Sequence, residues 1–190
     1  MNSSKSTRIK KRSGKQRLTD NPINFYPHFF LTLTRILVSR CFGLDHCRYN
    51  GEMIEAPWIR ELAARVELLS VCPEAEIGLG VPRDPISLVR NNKGVRLIQY
   101  ETGIDLSEFM VSFSQGYLRF LGDVDAFILK SKSPSCGLGT TKIHENDSFT
   151  LGSGVFASIA EKLYPDSVFV DEKFMEEKGV DGLLGLINKN

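Results

Sequence analysis

A chain of 190 residues suits one ordinary domain and is short for two. Its 42% apolar and 25% charged residues are a normal globular balance, and no apolar run approaches the ~18 residues of a membrane-spanning helix. A net charge of +1 argues against polyanion binding by bulk charge, and four cysteines in this length do not make a disulfide scaffold. The expectation is a soluble, cytoplasmic, single-domain protein whose few thiols have a chemical job.

Charge is uneven along the chain. Residues 1–34 carry seven basic side chains (Lys5, Arg8, Lys10, Lys11, Arg12, Lys15 and Arg17) and one acid, Asp20, for a net of +6; the whole is +1, so the remaining 156 residues carry −5. Residues 1–33 read as a basic arm, disordered because its first 22 residues hold almost nothing to bury. Three uses stay open for it: contact with RNA phosphates, an organelle transit peptide, or a solvated tail. Its polar start does not read as a secretory signal.

From Thr34 short strands alternate with amphipathic helices. Arg35–Ser39 (RILVS) is a β-branched run, hence a strand. Pro57–Val66 opens on proline and spaces Ile59, Leu62, Ala63 and Val66 as a helix would. Glu67–Val71 is a second strand. Ile86–Val89 and Val95–Tyr100 flank Asn91-Asn92-Lys93-Gly94, a hairpin turn. Asp105 or Ser107 caps a helix to about Leu121, with Phe109, Phe113, Leu118 and Leu121 on or near one face. Asp125–Lys130 reads as a buried strand, Gly154–Tyr164 as a helix and Ser167–Val170 as a last strand, with residues 181–190 as a tail. This alternation implies an α/β fold: a single Rossmann-like domain over residues 34–180, with a mostly parallel sheet and helices on both faces.

The cysteines fall at telling places on that map. Cys41 and Cys72 follow the first and second strands, and Cys136 lies a few residues past the Asp125–Lys130 strand. In a parallel sheet those ends share the edge where ligands bind. Thiols 31 and 64 residues apart thus converge, although no CxxC pair is present. Three thiols suit a metal centre, but are one fewer than usually hold an iron–sulfur cluster or a closed zinc site. Cys47 is open as a fourth ligand or a bystander thiol. His46 and His144 read as ordinary loop histidines.

Four ordered segments carry a resemblance. Cys41 to Gly51 resembles the pattern CLxGxxxRYxG; Cys72-Pro73-Glu74 with Gly78-Leu79 and Pro82-Arg83 follows CPExxxGLxxPR; Lys130 to Gly137 follows KxxSPSCG; and Gly152-Ser153-Gly154-Val155 matches a closing GxGV. Together they resemble the thiouracil desulfidase (TudS) family, long catalogued as a domain of unknown function (DUF523), over about residues 34–172. Arg40 and Phe42 depart from that pattern, which has a small residue and a Leu there; both bear on substrate shape.

The resemblance implies a 4Fe–4S cluster held by Cys41, Cys72 and Cys136, with one iron left open to the sulfur of a thiocarbonyl. It implies Glu74 and Ser133 as catalytic residues, and non-redox desulfuration of thiouracil or 4-thiouridine monophosphate to the oxo base and sulfide. The chemistry fits: iron is thiophilic and polarises a C=S carbon, and a carboxylate two residues from a ligand can activate water. A phosphate on the substrate would find the N–H groups of Gly152, Ser153 and Gly154 at a helix start, and Arg48, while Tyr49 is placed to stack on a pyrimidine. Two other readings stay open: a metal-stabilised RNA-binding module, and a desulfidase acting on 4-thiouridine in tRNA with help from the basic arm.

Overall fold

The computed structural model describes residues 33–189, so all but the last residue of the expected basic arm lies outside the described residues. In chain order the elements are β1 (Arg35–Ser39), α1 (Ile59–Ala63), β2 (Glu67–Val71), α2 (Pro73–Glu76), β3 (Ile86–Asn91), β4 (Gly94–Gln99), α3 (Ser107–Phe120), β5 (Ala126–Ile128), β6 (Thr141–Glu145), β7 (Ser148–Gly152), α4 (Val155–Leu163), β8 (Val168–Val170) and α5 (Glu172–Ile187).

The strands form two four-stranded sheets, ordered β2-β1-β5-β8 and β4-β3-β6-β7. Every pairing in the first sheet is parallel; Val38 of β1 stands between Ser70 of β2 and Ile128 of β5. Successive side chains of a strand point to opposite faces, so β1 feeds two cores. Ile36 and Val38 pack with Ile59 and Leu62 of α1 and with Met175 and Leu183 of α5. Leu37 and Phe127 pack with Leu118 of α3 and with Phe156, Ala157 and Ala160 of α4. Burial on both faces explains why Ile36, Leu37 and Val38 are apolar without alternation.

The second sheet is mixed, which the expected single, mostly parallel sheet did not separate from the first. β3 and β4 form the anticipated hairpin, with Asn91 opposite Gly94. β3 also pairs in parallel with β6, and β6 returns antiparallel as β7. That second hairpin escaped notice because β7 is short and exposed along most of its length, so its Phe149 and Leu151 mark no buried face. His144 consequently lies on a strand, not in a loop.

Other boundaries shift for physical reasons. α1 is shorter than Pro57–Val66 because the chain must leave the helix to enter β2 at Glu67. α3 buries Met110, Ser114 and Leu118, a spacing of four; Phe109, one residue off that line, is 67% exposed. Asp105 does not cap α3 from the N-cap position, but its carboxylate accepts from the Ser107 N–H at 3.0 Å and the Ser107 hydroxyl at 2.6 Å. The expected tail from residue 181 is corrected: α5 runs to Ile187, is capped by Asp171, kinks at Gly179 and buries Val180 and Leu183. Gly179, Gly182 and Gly185 masked it, since glycine is the weakest ordinary helix former.

Candidate active site

Three parallel strands deliver three thiols to one edge. β1 stops at Ser39 and turns through Arg40, whose N–H donates to the Val71 carbonyl at 2.9 Å; Cys41 follows, its carbonyl held by the Ile54 N–H at 2.8 Å. β2 stops at Val71, and Cys72 is the N-cap residue of α2, with Pro73 in the first helical position and Glu74 in the first turn. Past β5 the chain forms a tight loop from Lys130 to Gly137. Its Ser133 hydroxyl oxygen accepts from the Ser135 N–H at 3.2 Å and the Cys136 N–H at 3.1 Å.

That loop is pinned from three sides. The Lys130 N–H donates to Ser39 Oγ at 3.0 Å. The Lys130 ammonium, the Ser131 hydroxyl and the Ser131 N–H all donate to Glu172 at the start of α5, at 2.6, 2.5 and 2.9 Å. Burial would raise the Glu172 pKa, but these hydrogen bonds outweigh it and hold the carboxyl below its usual range. The start of α4 grips the loop from the other side: the Gly154, Val155 and Ala157 N–H groups donate to the carbonyls of Gly137, Pro134 and Ser135 at 2.8, 3.0 and 3.1 Å. A Cβ at Gly154 would lie 2.4 Å from the Ser135 carbonyl, so only glycine allows this approach.

Between these segments lies a cavity of about 460 Å³ lined by Cys41, Cys47, Cys72 and Cys136, with Glu74, Arg83, Lys130, Lys132 and Ser133. Its mouth carries Arg48 and Tyr49, the latter 44% exposed and 5.9 Å from the Arg48 guanidinium carbon. All four thiols are free. Burial, helped by the neighbouring Cys72, pushes Cys41 up to about 12, and burial pushes Cys136 up as well. The Cys72 thiol donates to the Cys47 carbonyl at 3.5 Å, and the neighbouring Cys47 thiol holds Cys72 down at about 7 while being raised itself. Among the described residues no three His, Cys, Asp or Glu groups close on a single ion. The donors surround a space instead. A larger hollow of about 1030 Å³ lies by the amino ends of β5 and β8, but no cysteine lines it.

Glu74 is tightly held. Its Oε2 accepts from Arg83 Nε at 3.0 Å and Arg83 Nη2 at 2.8 Å, while Oε1 accepts from the Ser135 hydroxyl at 2.7 Å. The ion pair is buried, with side-chain exposures of 3% for Arg83 and 13% for Glu74.

The cavity therefore gathers Cys41, Cys72, Cys136, Glu74, Ser133, Arg48 and Tyr49 of the expected set. Gly152, Ser153 and Gly154 are a correction. They do not line the cavity, and of the N–H groups expected to meet a phosphate that of Gly154 is spent on the Cys136 loop, at the Gly137 carbonyl. Ser153 accepts from the Gly139 N–H at 3.0 Å, and a Cβ on Gly152 would lie 2.6 Å from Ile143. Arg48 pairs with Glu52 at 2.9 Å. Ser135, which sets Glu74, went unnoticed beside Ser133; nothing in a single sequence separates two serines in SPSC. Lys132 also went unnoticed: it lines the cavity at a φ of 58°, with no carboxylate partner among the described residues.

Thiols, a held carboxylate and cations at the carboxyl edge of a parallel sheet define an α/β protein with a thiol-lined reaction pocket. The 2-thiouracil desulfurase family model matches residues 36–172. The chain belongs to that family and is a thiouracil desulfidase-like enzyme. It is 32% identical over 138 residues to the uncharacterized protein YbbK of Bacillus subtilis (strain 168), covering 67% of this chain and 89% of that one. Its fold matches that of the [4Fe-4S]-dependent thiouracil desulfidase TudS with a TM-score of 0.62 and 24% identity, over 83% of this chain and 99% of the other. Among the described residues no helix is long and apolar enough to cross a membrane.

Proposed function

We propose that this enzyme hydrolyses a thiolated pyrimidine, thiouracil or 4-thiouridine monophosphate, to the oxo base and hydrogen sulfide, with Cys41, Cys72 and Cys136 holding a 4Fe–4S cluster. The observation that carries the reading is the arrival of three cysteines from three strand ends in one cavity with a buried carboxylate. The donor set fits: soft thiols, brought by separate segments, stand around a space and do not close on one ion. When bound, the cluster supplies a thiophilic Lewis acid for the thiocarbonyl sulfur.

The chain's own groups do the rest. Glu74 takes a proton from the water that attacks the ring carbon, and returns a proton as sulfur departs. The overall change is C=S plus H₂O to C=O plus H₂S, with no electrons transferred. The Ser133 oxygen is fixed by two backbone N–H groups, which leaves its hydroxyl proton to donate into the cavity. Tyr49 offers an aromatic face at the mouth. Lys132 and Arg48 place positive charge where a phosphate or an ionised ring would stand. A reducing cytoplasm suits four free thiols.

The test uses protein purified without oxygen. Iron, acid-labile sulfide, and sulfide release from 4-thiouracil and 4-thio-UMP are measured on wild type, Cys136→Ala and Cys47→Ala. About four irons and four sulfides per chain are expected. They should vanish with Cys136 and survive without Cys47. One zinc or no metal, with no sulfide released, would overturn the reading.

A further inference from the structure

Arg83 stands at the crossing of the site's parts. Its Nη1 donates to the Gly80 carbonyl at 2.9 Å. Its Nε and Nη2 both donate to Glu74 Oε2. The same Nη2 also donates to the Cys47 carbonyl at 3.0 Å and lies 3.9 Å from the Cys72 sulfur. One buried guanidinium thus ties the loop after β1, the cysteine at the end of β2, the carboxylate and the turn beyond α2. Arginine suits this task, since its planar fork of donors loses little freedom per hydrogen bond.

The count of acceptor sites on Glu74 sharpens the point. Each carboxylate oxygen has two lone-pair sites. Both sites of Oε2 are taken by Arg83, and one site of Oε1 is taken by Ser135. The single open site is on Oε1. Resting on the desulfidase reading, we propose that Arg83 is the positioning residue of this active site: it fixes Glu74 so that Oε1 alone handles the proton, with Ser135 setting that oxygen's direction, and it shares with the Cys72 sulfur the N–H that it gives the Cys47 carbonyl.

Arg83→Lys and Ser135→Ala test this in cluster-loaded enzyme kept from oxygen. Lysine retains the charge but cannot span Glu74 and Cys72 together. Iron and sulfide content should match wild type in both variants. KM for 4-thiouracil should stay within about twofold while kcat falls at least about tenfold, because misplacement of a reacting group acts on the chemical step. A second readout does not depend on turnover. Hydrogen bonds to ligand sulfurs favour the reduced, more negative cluster. The reduction potential of Arg83→Lys should therefore lie below that of wild type.

Full kcat in Arg83→Lys overturns the proposal, as does an unchanged potential or a loss confined to KM. Loss of iron from Arg83→Lys also overturns it, by making Arg83 a residue of cluster loading. Full kcat in Ser135→Ala with iron bound removes the Oε1 assignment. Wild-type protein without iron or sulfide release fails the desulfidase reading itself, a result distinct from failure of the variants alone.

Discussion

Gly154 has no room for a methyl group, and what it would strike decides between two roles for the GxGV segment. A Cβ there lies 2.4 Å from the carbonyl carbon and oxygen of Ser135 and 2.8 Å from the Cys136 nitrogen. Backbone cannot swing aside as a long side chain can. Gly154→Ala should therefore cost about 1–3 kcal/mol and displace the Cys136 loop. Sulfide release from 4-thiouracil and from 4-thio-UMP should fall together, with lower iron content. A loss confined to the nucleotide would restore the phosphate-binding role that the hydrogen bonds of α4 oppose. The same scale shows what a single sequence conceals. The convergence of Cys41, Cys72 and Cys136 on one cavity was legible because strand ends are legible. Ser135 was not, because its partner Glu74 is 61 residues away and only packing joins them.

At the scale of elements, α5 and the start of α3 carry consequences that local patterning hid. Leu183 is fully buried against the first sheet, in a stretch where glycines dilute the helical signal. Leu183→Ala should destabilise by about 2–5 kcal/mol, measured by denaturant unfolding; a change below ~0.5 kcal/mol would return that stretch to the status of a surface tail. At α3, burial would raise the Asp105 pKa, but hydrogen bonds from Arg96 and Ser107 outweigh it and hold the group at about 2. The folded pKa lies below the unfolded value of about 3.9. Asp105 therefore contributes stability in full above pH ~4, and that contribution disappears as pH falls through about 2. The Tm gap between wild type and Asp105→Asn should be widest at neutral pH and should narrow from pH 4 downward. A gap that is flat over that range would show that the carboxylate has no such role. Partial exposure of the pair keeps the effect modest.

For the whole molecule, the parallel sheet and its two helical layers were legible in the sequence. The mixed sheet was not, because β6 and β7 are short and largely exposed, and their pairing depends on β3, some 50 residues earlier. That architecture also makes the proposed ligand set a cross-link. Cys41, Cys72 and Cys136 hang from β1, β2 and the loop after β5, which are neighbours only once the first sheet has formed. A group bound by all three binds the folded chain and not the unfolded one, so its affinity adds to folding stability. Each kcal/mol of that linkage moves Tm by roughly 2–4 °C in a chain of this size. Loaded wild type should melt several degrees above the same protein stripped of metal under anaerobic conditions. Cys72→Ala should melt near the stripped protein and gain nothing on reconstitution with iron and sulfide. Cys47→Ala should keep most of the gain, since Cys47 meets Cys72 through its backbone carbonyl, which alanine keeps. If stripping leaves Tm unchanged, the three cysteines do not jointly hold the group, and the sheet edge is already rigid without it.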